Sequence, residues 1–316
     1  MSALLCVLLL QATPAAAWEE RTPEAAGLSP AKLQELRDLA GGRGCVVRGG
    51  RLVAAWGDLA KSGDVGAAAL PVLSTLLMVA VHEGKLSGVD ARVSEVQPRL
   101  TGKDAGITWR HLASRLSGYG LAEGPGEAWS ANDDSVALFA DTLMDRIYRQ
   151  PANEVMESRL GRLLGFQDPY GFEPGQRLSI SPRDFARLGL LILRGGAWGP
   201  KEILAPSLTY LSISAPVPSE TPGAGKSIPA AGPGCSSFSW WLNGIDARRQ
   251  LLFVDGPPDL IAALGQGGRQ ALWILPSRDL VVAWSDARID DLDRSPGNPE
   301  ARINRAVGLM AGSLLP

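Results

Sequence analysis

No charge interrupts the stretch from Pro71 to Val81, where Leu73, Leu76, Leu77, Ala80 and Val81 recur at helical spacing and Gly84 closes the segment. A helix that is apolar on most of its sides must be enclosed by other elements. The rest of the chain therefore has to supply a shell around this helix.

The flanking segments are suited to that task. Ser29-Pro30 opens a helix, with Ser as N-cap and Pro in the first turn, and Gly41-Gly42 ends it after Ala40. Cys45 to Arg48 and Arg51 to Trp56 are β-prone runs around Gly49-Gly50, which predicts a tight hairpin. Thr108 caps a short helix through Trp109 and Leu112. A longer helix runs from about Asp134 to Tyr148. Ser181-Pro182-Arg183-Asp184 has the layout of an N-terminal cap for an amphipathic helix ending at Gly195-Gly196. Pro, Gly and Ser crowd residues 214–234, which read as a long surface loop. Strands follow at Phe238 to Leu242, Ala271 to Leu275 and Leu280 to Trp284, the last two joined by a Pro276 to Asp279 turn. Asn298-Pro299 is expected to cap a final helix through Met310. Strands at both ends with helices inserted between them predict an α+β fold, in which the two chain ends share one sheet. The expected organisation is a sheet subdomain over 18–66 and 234–316 and a mainly helical subdomain over 67–233, with the Pro/Gly-rich loop near its end.

Leu4 to Leu10 is a short apolar run, and Ala15-Ala16-Ala17 is a small-residue cleavage site before Trp18. Residues 1–17 are therefore expected to be an export signal, atypical in lacking Lys or Arg before the apolar run, and the protein periplasmic or extracellular. The run is too short to span a bilayer. With a formal net charge of -2 over 316 residues, nothing argues for nucleic acid or an anionic membrane as the main partner. Two histidines and three cysteines, without C-x-x-C, H-x-x-x-H or G-x-x-x-x-G-K, leave little material for a metal site and give no reason to expect a cofactor. Cys6 would leave with the signal, and Cys45 and Cys235 are expected to be free and buried.

Five stretches resemble one family in order and spacing. They are "AAALPVLSTLLMVAVHEG" (67–84), "ITWRHLASRLSGYG" (107–120), "PGEAWSANDDSVALFADTL" (125–143), "SISPRDFARLGLLILRGGAW" (179–198) and "GQGGRQALWILPSRDLVVAW" (265–284). The chain resembles the serine β-lactamase and penicillin-binding-protein family, which includes class C β-lactamases, related esterases and nylon-oligomer hydrolases. The resemblance implies an antiparallel sheet flanked by helices, plus an inserted mainly helical subdomain.

The resemblance fails at the residues that carry the chemistry. The family uses a Ser on the first turn of the buried helix and a Lys three residues later, so that nucleophile and base share one helical face. Here those positions match Ala67 and Leu70, and neither side chain can attack a carbonyl or accept a proton. The second motif, which relays a proton, matches Ser130-Ala131-Asn132 in two registers. Read as Ser-x-Asn, it keeps Ser130. Read as Tyr-Asn, which "PGEAWSAND" resembles more closely, it places Ala131 at the Tyr. Asn132 survives in both registers. The third motif, on a strand beside the nucleophile, matches Gln266-Gly267-Gly268. Gln266 is uncharged there, and the glycines would let a ligand approach the backbone. The oxyanion hole of the family is built from backbone N–H groups and does not need the missing side chains. Ser130, Asn132, Gln266, Gly267 and Gly268 are thus the expected ligand-pocket residues.

Other nucleophile candidates are weaker. Ser29 and Lys32 form an S-x-x-K that cap chemistry explains, and Ser74 has Leu77 three residues on. His82 and His111 read as structural or surface residues, Arg48, Arg51 and Arg248-Arg249 as solvated charge, and Glu83 as a surface partner for Lys85. Three functions stay open. One is a non-catalytic protein that binds a small carboxylate, an amide, a peptidoglycan-like ligand or a protein partner. The second is a weak hydrolase using another nucleophile, and the third a structural protein whose pocket has collapsed.

Overall fold

A computed structural model describes residues 17–225 and 232–315. The expected export signal falls almost entirely on residues 1–16, outside the described residues, as does Cys6. The Trp18 indole N–H donates to the Arg183 carbonyl at 3.3 Å, and its ring lies 5.0 Å from the Arg187 guanidinium.

The fold is α+β, around a seven-stranded antiparallel sheet. Its strands are β1 (Arg43–Arg48), β2 (Arg51–Trp56), β3 (Ser236–Ser237), β4 (Trp240–Leu242), β5 (Ile261–Gly265), β6 (Gln270–Leu275) and β7 (Leu280–Ser285). Their order across the sheet is β2-β1-β7-β6-β5-β4-β3, so the N-terminal hairpin pairs through β1 with the last strand of the chain.

Side chains alternate between the two faces of this sheet, and both faces are buried. One face carries Cys45, Val47, Ala263, Leu272, Ile274, Val281 and Ala283 and packs under helices α2 (Leu70–His82) and α5 (Pro182–Leu193). The other carries Val46, Trp56, Leu264, Trp273, Val282 and Trp284 beneath α1 (Pro30–Ala40) and the C-terminal helix α7 (Arg302–Ala311). Trp240 and Trp241 divide in the same way, one into each core. Helix α5 lies so close to the sheet at Gly189 that an added Cβ would come within 2.7 Å of Leu272 and Val281.

Helix α3 (Trp109–Ala113) is capped by Thr108, with His111 Nδ1 accepting the Thr108 N–H at 3.2 Å, so His111 has a structural role. Helix α4 (Asp133–Thr142) continues in wider turns over Leu143–Tyr148. Helix α6 (Pro206–Ser214) precedes the Pro/Gly-rich segment, whose described part is tied down where Ala224 N–H donates to Trp129 O at 2.9 Å.

Three expectations change. Helix α7 starts at Arg302 rather than behind Asn298, and Asp291 caps it by accepting the backbone N–H groups of Arg302 at 2.7 Å and Ile303 at 3.1 Å. Arg48 is only partly exposed and donates to the Gly27 carbonyl at 2.9 Å rather than standing free in solvent. Gln266–Gly268 is a turn rather than a strand, with positive φ at all three residues.

Candidate ligand cleft

Four segments build the site. The first is the 3-10 turn Gly66–Ala69, which leads directly into α2. Val65 N–H donates to Leu178 O at 2.9 Å, and Gly66 N–H to Asp64 Oδ1 at 2.8 Å. These bonds fix the turn against the strand Arg177–Ile180. On its other side β5 presses against it. A Cβ on Gly265 would sit 2.0 Å from Val65 O and 3.3 Å from Ala67 N, so only glycine permits this contact. The strand residues beside the turn are therefore Ala263, Leu264 and Gly265. Gln266 lies just beyond, with its side chain 3.4 Å from where a Cβ on Gly66 would be. Gly267 and Gly268 point elsewhere: Cβ atoms on them would meet Asp290 O at 2.9 Å and Ile303 at 3.0 Å, away from the cleft.

The second segment is the wall at 130–136. Asn132 is the N-cap of α4. Its Oδ1 accepts Ser135 N–H at 3.1 Å, and its Nδ2 donates to Tyr119 O at 2.7 Å. Both ends of this amide are engaged in the protein's own structure. Ala131 faces the cleft, whereas Ser130 is buried and is not among the lining residues.

Arg115 belongs to the third segment, the loop after α3. Its carbonyl accepts Ser130 N–H at 3.0 Å, and its guanidinium carbon lies 5.5 Å from the Trp129 ring centroid. Burial pushes its pKa down to about 10, a shift that the nearby Asp133 partly offsets. The fourth segment is the turn Gly175–Arg177. Gln176 Nε2 donates to Asp141 at 3.2 Å, and Arg177 pairs with Glu173 at 2.8 Å.

Together these segments enclose a cleft of about 260 Å³, lined by Ala67, Leu70, Arg115, Ala131, Asn132 and Arg177 among others. A larger hollow of about 760 Å³, lined by Glu95, Asp145, Arg146 and Arg149, is more open and contains none of the motif residues. Sequence reasoning brought Ala67, Leu70, Ala131 and Asn132 to one place, and the structure does the same. It missed Arg115, Val136 and the 175–177 turn, although Arg115 lies inside the quoted stretch 107–120. Ser74 is fully buried in α2. His82 stands exposed at the end of that helix.

A buried helix beginning at a turn wedged between an antiparallel sheet and a helical subdomain is the β-lactamase and transpeptidase fold. Similar solved structures include a β-lactamase from Mycobacterium bovis, 17% identical with TM-score 0.66, the match covering 90% of this chain and 100% of that one. A penicillin-binding-protein homologue from Caulobacter crescentus is 13% identical with TM-score 0.65 over 91% and 99% of the two chains. A family VIII carboxylesterase is 13% identical with TM-score 0.69 over 90% and 98%. No protein-family model and no curated protein matches the chain. Identities this low establish a shared fold.

Proposed function

We propose that the chain is a β-lactamase-related serine-hydrolase homologue that has lost its nucleophile and base and acts as a non-catalytic binding protein. The observation that carries this reading is the chemistry of the cleft lining. Among the described residues that line the cleft, no side chain is a hydroxyl, thiol, primary amine or imidazole. Acyl transfer through a serine needs a nucleophile and a proton acceptor within hydrogen-bond reach of each other. At Ala67, Leu70 and Ala131 the side chains are hydrocarbon. The cleft itself is open, which favours a binding role over a filled pocket.

Intact-mass spectrometry after long incubation with a penicillin, and separately with a fluorophosphonate, tests the proposal. The expected result is unmodified protein. A stoichiometric adduct on one serine would overturn the reading and identify a substitute nucleophile. The same proposal includes export with removal of residues 1–17, supported by the apolar run Leu4 to Leu10 and the small residues Ala15-Ala16-Ala17 before Trp18. N-terminal sequencing of protein recovered outside the cytoplasm should then begin at Trp18, and an intact Met1 would refute it. No helix among the described residues is long and apolar enough to cross a membrane.

A further inference from the structure

Among the described residues, one cation on the cleft lining has no ion pair of its own, although the nearby Asp133 carboxylate acts on it through its field. Arg177 is engaged by Glu173 at 2.8 Å and faces Asp64 at 3.7 Å. Arg115 has no ion pair and no side-chain hydrogen bond among the described residues. Its guanidinium carbon lies 5.5 Å from the Trp129 ring centroid, and the residue lines the cleft. A cation removed from water without a matching anion is costly, and a bound anion offsets that cost.

The backbone holds this residue in an unusual conformation. Arg115 has φ of +61°, in the left-handed region that residues with a side chain seldom occupy. Its carbonyl is fixed by the Ser130 N–H, so the loop at 115 and the wall at 130 are joined at this point. Backbone held in sparsely populated regions concentrates at ligand-binding positions. Arg115, a partly exposed residue, lines the cleft together with Ala67 and Leu70.

Resting on the non-catalytic reading above, the geometry points to a small monoanionic carboxylate as the ligand, paired with the Arg115 guanidinium and with its apolar body over Ala67, Ala69, Leu70 and Val136. A guanidinium fork pairs with carboxylate or phosphate alike. The lining decides between them. Among the described lining residues one cation is without an ion pair, and stripping water from a phosphate dianion costs more than from a single negative charge, which that one guanidinium matches. The cleft of about 260 Å³ has room for about nine waters at liquid density, which limits the ligand to a similar number of non-hydrogen atoms. The four apolar side chains favour hydrocarbon in the body of the ligand.

Isothermal titration of the full chain with hexanoate, hexanamide and butyl phosphate tests this assignment. Hexanoate should bind saturably. The neutral amide and the phosphate should each bind at least about tenfold more weakly, since a hydrogen-bonded charge pair is lost or opposed. Arg115→Gln should weaken hexanoate by at least about tenfold. Because that variant removes the cation over Trp129 and disturbs the loop, Ala131→Glu serves as a second test. It removes no packing and places a competing carboxylate on the lining, and it should also weaken hexanoate by about tenfold. Equal binding of hexanoate and hexanamide, unchanged hexanoate binding by either variant, or no binding up to about 10 mM would overturn the proposal. Equal or tighter butyl phosphate binding would overturn the monoanion assignment. A fluorophosphonate adduct would instead refute the non-catalytic reading, and the hexanoate comparisons would still report on Arg115 separately.

Discussion

Gly265→Ala tests how the sheet holds the cleft. The glycine is at the end of β5 with φ of -125°, an extended conformation open to any residue, so alanine introduces no backbone strain there. The whole effect is steric. The added methyl would lie 2.0 Å from Val65 O and 3.1 Å from Val65 C, both backbone atoms. Carbon makes favourable contacts near 3.5 Å, so strand and turn would have to separate by more than about 1 Å. The turn cannot yield cheaply, because its far side is bonded to Leu178 and Asp64. Overpacking of a rigid contact costs up to about 3 kcal/mol, which for a chain of this size corresponds to a Tm lower by about 6 °C. Gly88→Ala is the control, since nothing lies within 4 Å of its Cβ position and its φ is not positive. That change should leave Tm unaltered or raise it slightly. The assay is thermal unfolding followed by circular dichroism, combined with hexanoate titration. Gly265→Ala should lower both Tm and affinity. If it matched Gly88→Ala in Tm, the close approach of β5 to the turn would be wrong.

Asp291→Ala removes the carboxylate that caps α7 and should cost about 1–2 kcal/mol in denaturant unfolding; a loss below about 0.3 kcal/mol would show that the cap contributes nothing. Burial pushes the Cys45 and Cys235 thiols up to about 12 each, and the two occupy opposite faces of the sheet, so a thiol reagent at pH 8 should label neither in native protein and both in denaturant; an internal disulfide between them would contradict the fold. The Arg110 guanidinium, bonded to Asp90 at 2.6 and 2.8 Å, holds that carboxyl below the ordinary aspartate range. The stability from this pair is therefore fully present above the unfolded aspartate value near pH 4 and is lost as pH falls through the folded value; because the pair is solvent-exposed, the effect stays below about 1 kcal/mol. A carboxyl NMR titration should show a low Asp90 midpoint that returns toward the ordinary value in Arg110→Gln, and an unchanged midpoint would refute the coupling. Ala67→Ser combined with Leu70→Lys should fold with Tm within about 3 °C of the parent, since the bonds that hold the turn are made by other residues; a collapse of the fold would show that these side chains are structural.

What the sequence reveals depends on whether the determining partners are close along the chain. The hairpin at 43–56 and the helices opened by Ser29 and Ser181 are legible because cap, turn and periodicity lie within a few residues of each other. The turn at Gln266–Gly268 was not foreseen because β5 reads Ile-Ala-Ala-Leu-Gly and is buried on both faces. Without alternation its end cannot be located, and the glycines beyond it served the turn rather than the strand. Helix α7 is misplaced at its start because its cap comes from Asp291, more than ten residues upstream, through a loop that folds back. Arg115 escapes notice because its residue type is ordinary and its orientation is set by one backbone angle. That angle depends on the packing of the 115 loop against Ser130, which lies elsewhere in the sequence. Asn132 was legible as a motif residue, but not as one whose amide is already engaged by Tyr119 and Ser135.

The same distinction explains how the cleft can keep its shape with hydrocarbon side chains at Ala67 and Leu70. The turn at 66–69 is held by Val65 to Leu178, by Gly66 to Asp64, and by Gly265 packed against both, and the side chains of Ala67 and Leu70 take part in none of these. Side chains at those positions are therefore free to change while the walls remain. Catalytic groups at such a position would be expected to cost stability, because polar and charged groups have to be held desolvated and close together. Alanine and leucine carry no such cost, and among the described lining residues Arg115 is the cation without an ion pair. A guanidinium without an ion pair, at positive φ, close to an indole and beside an apolar floor, is what argues for the proposed ligand.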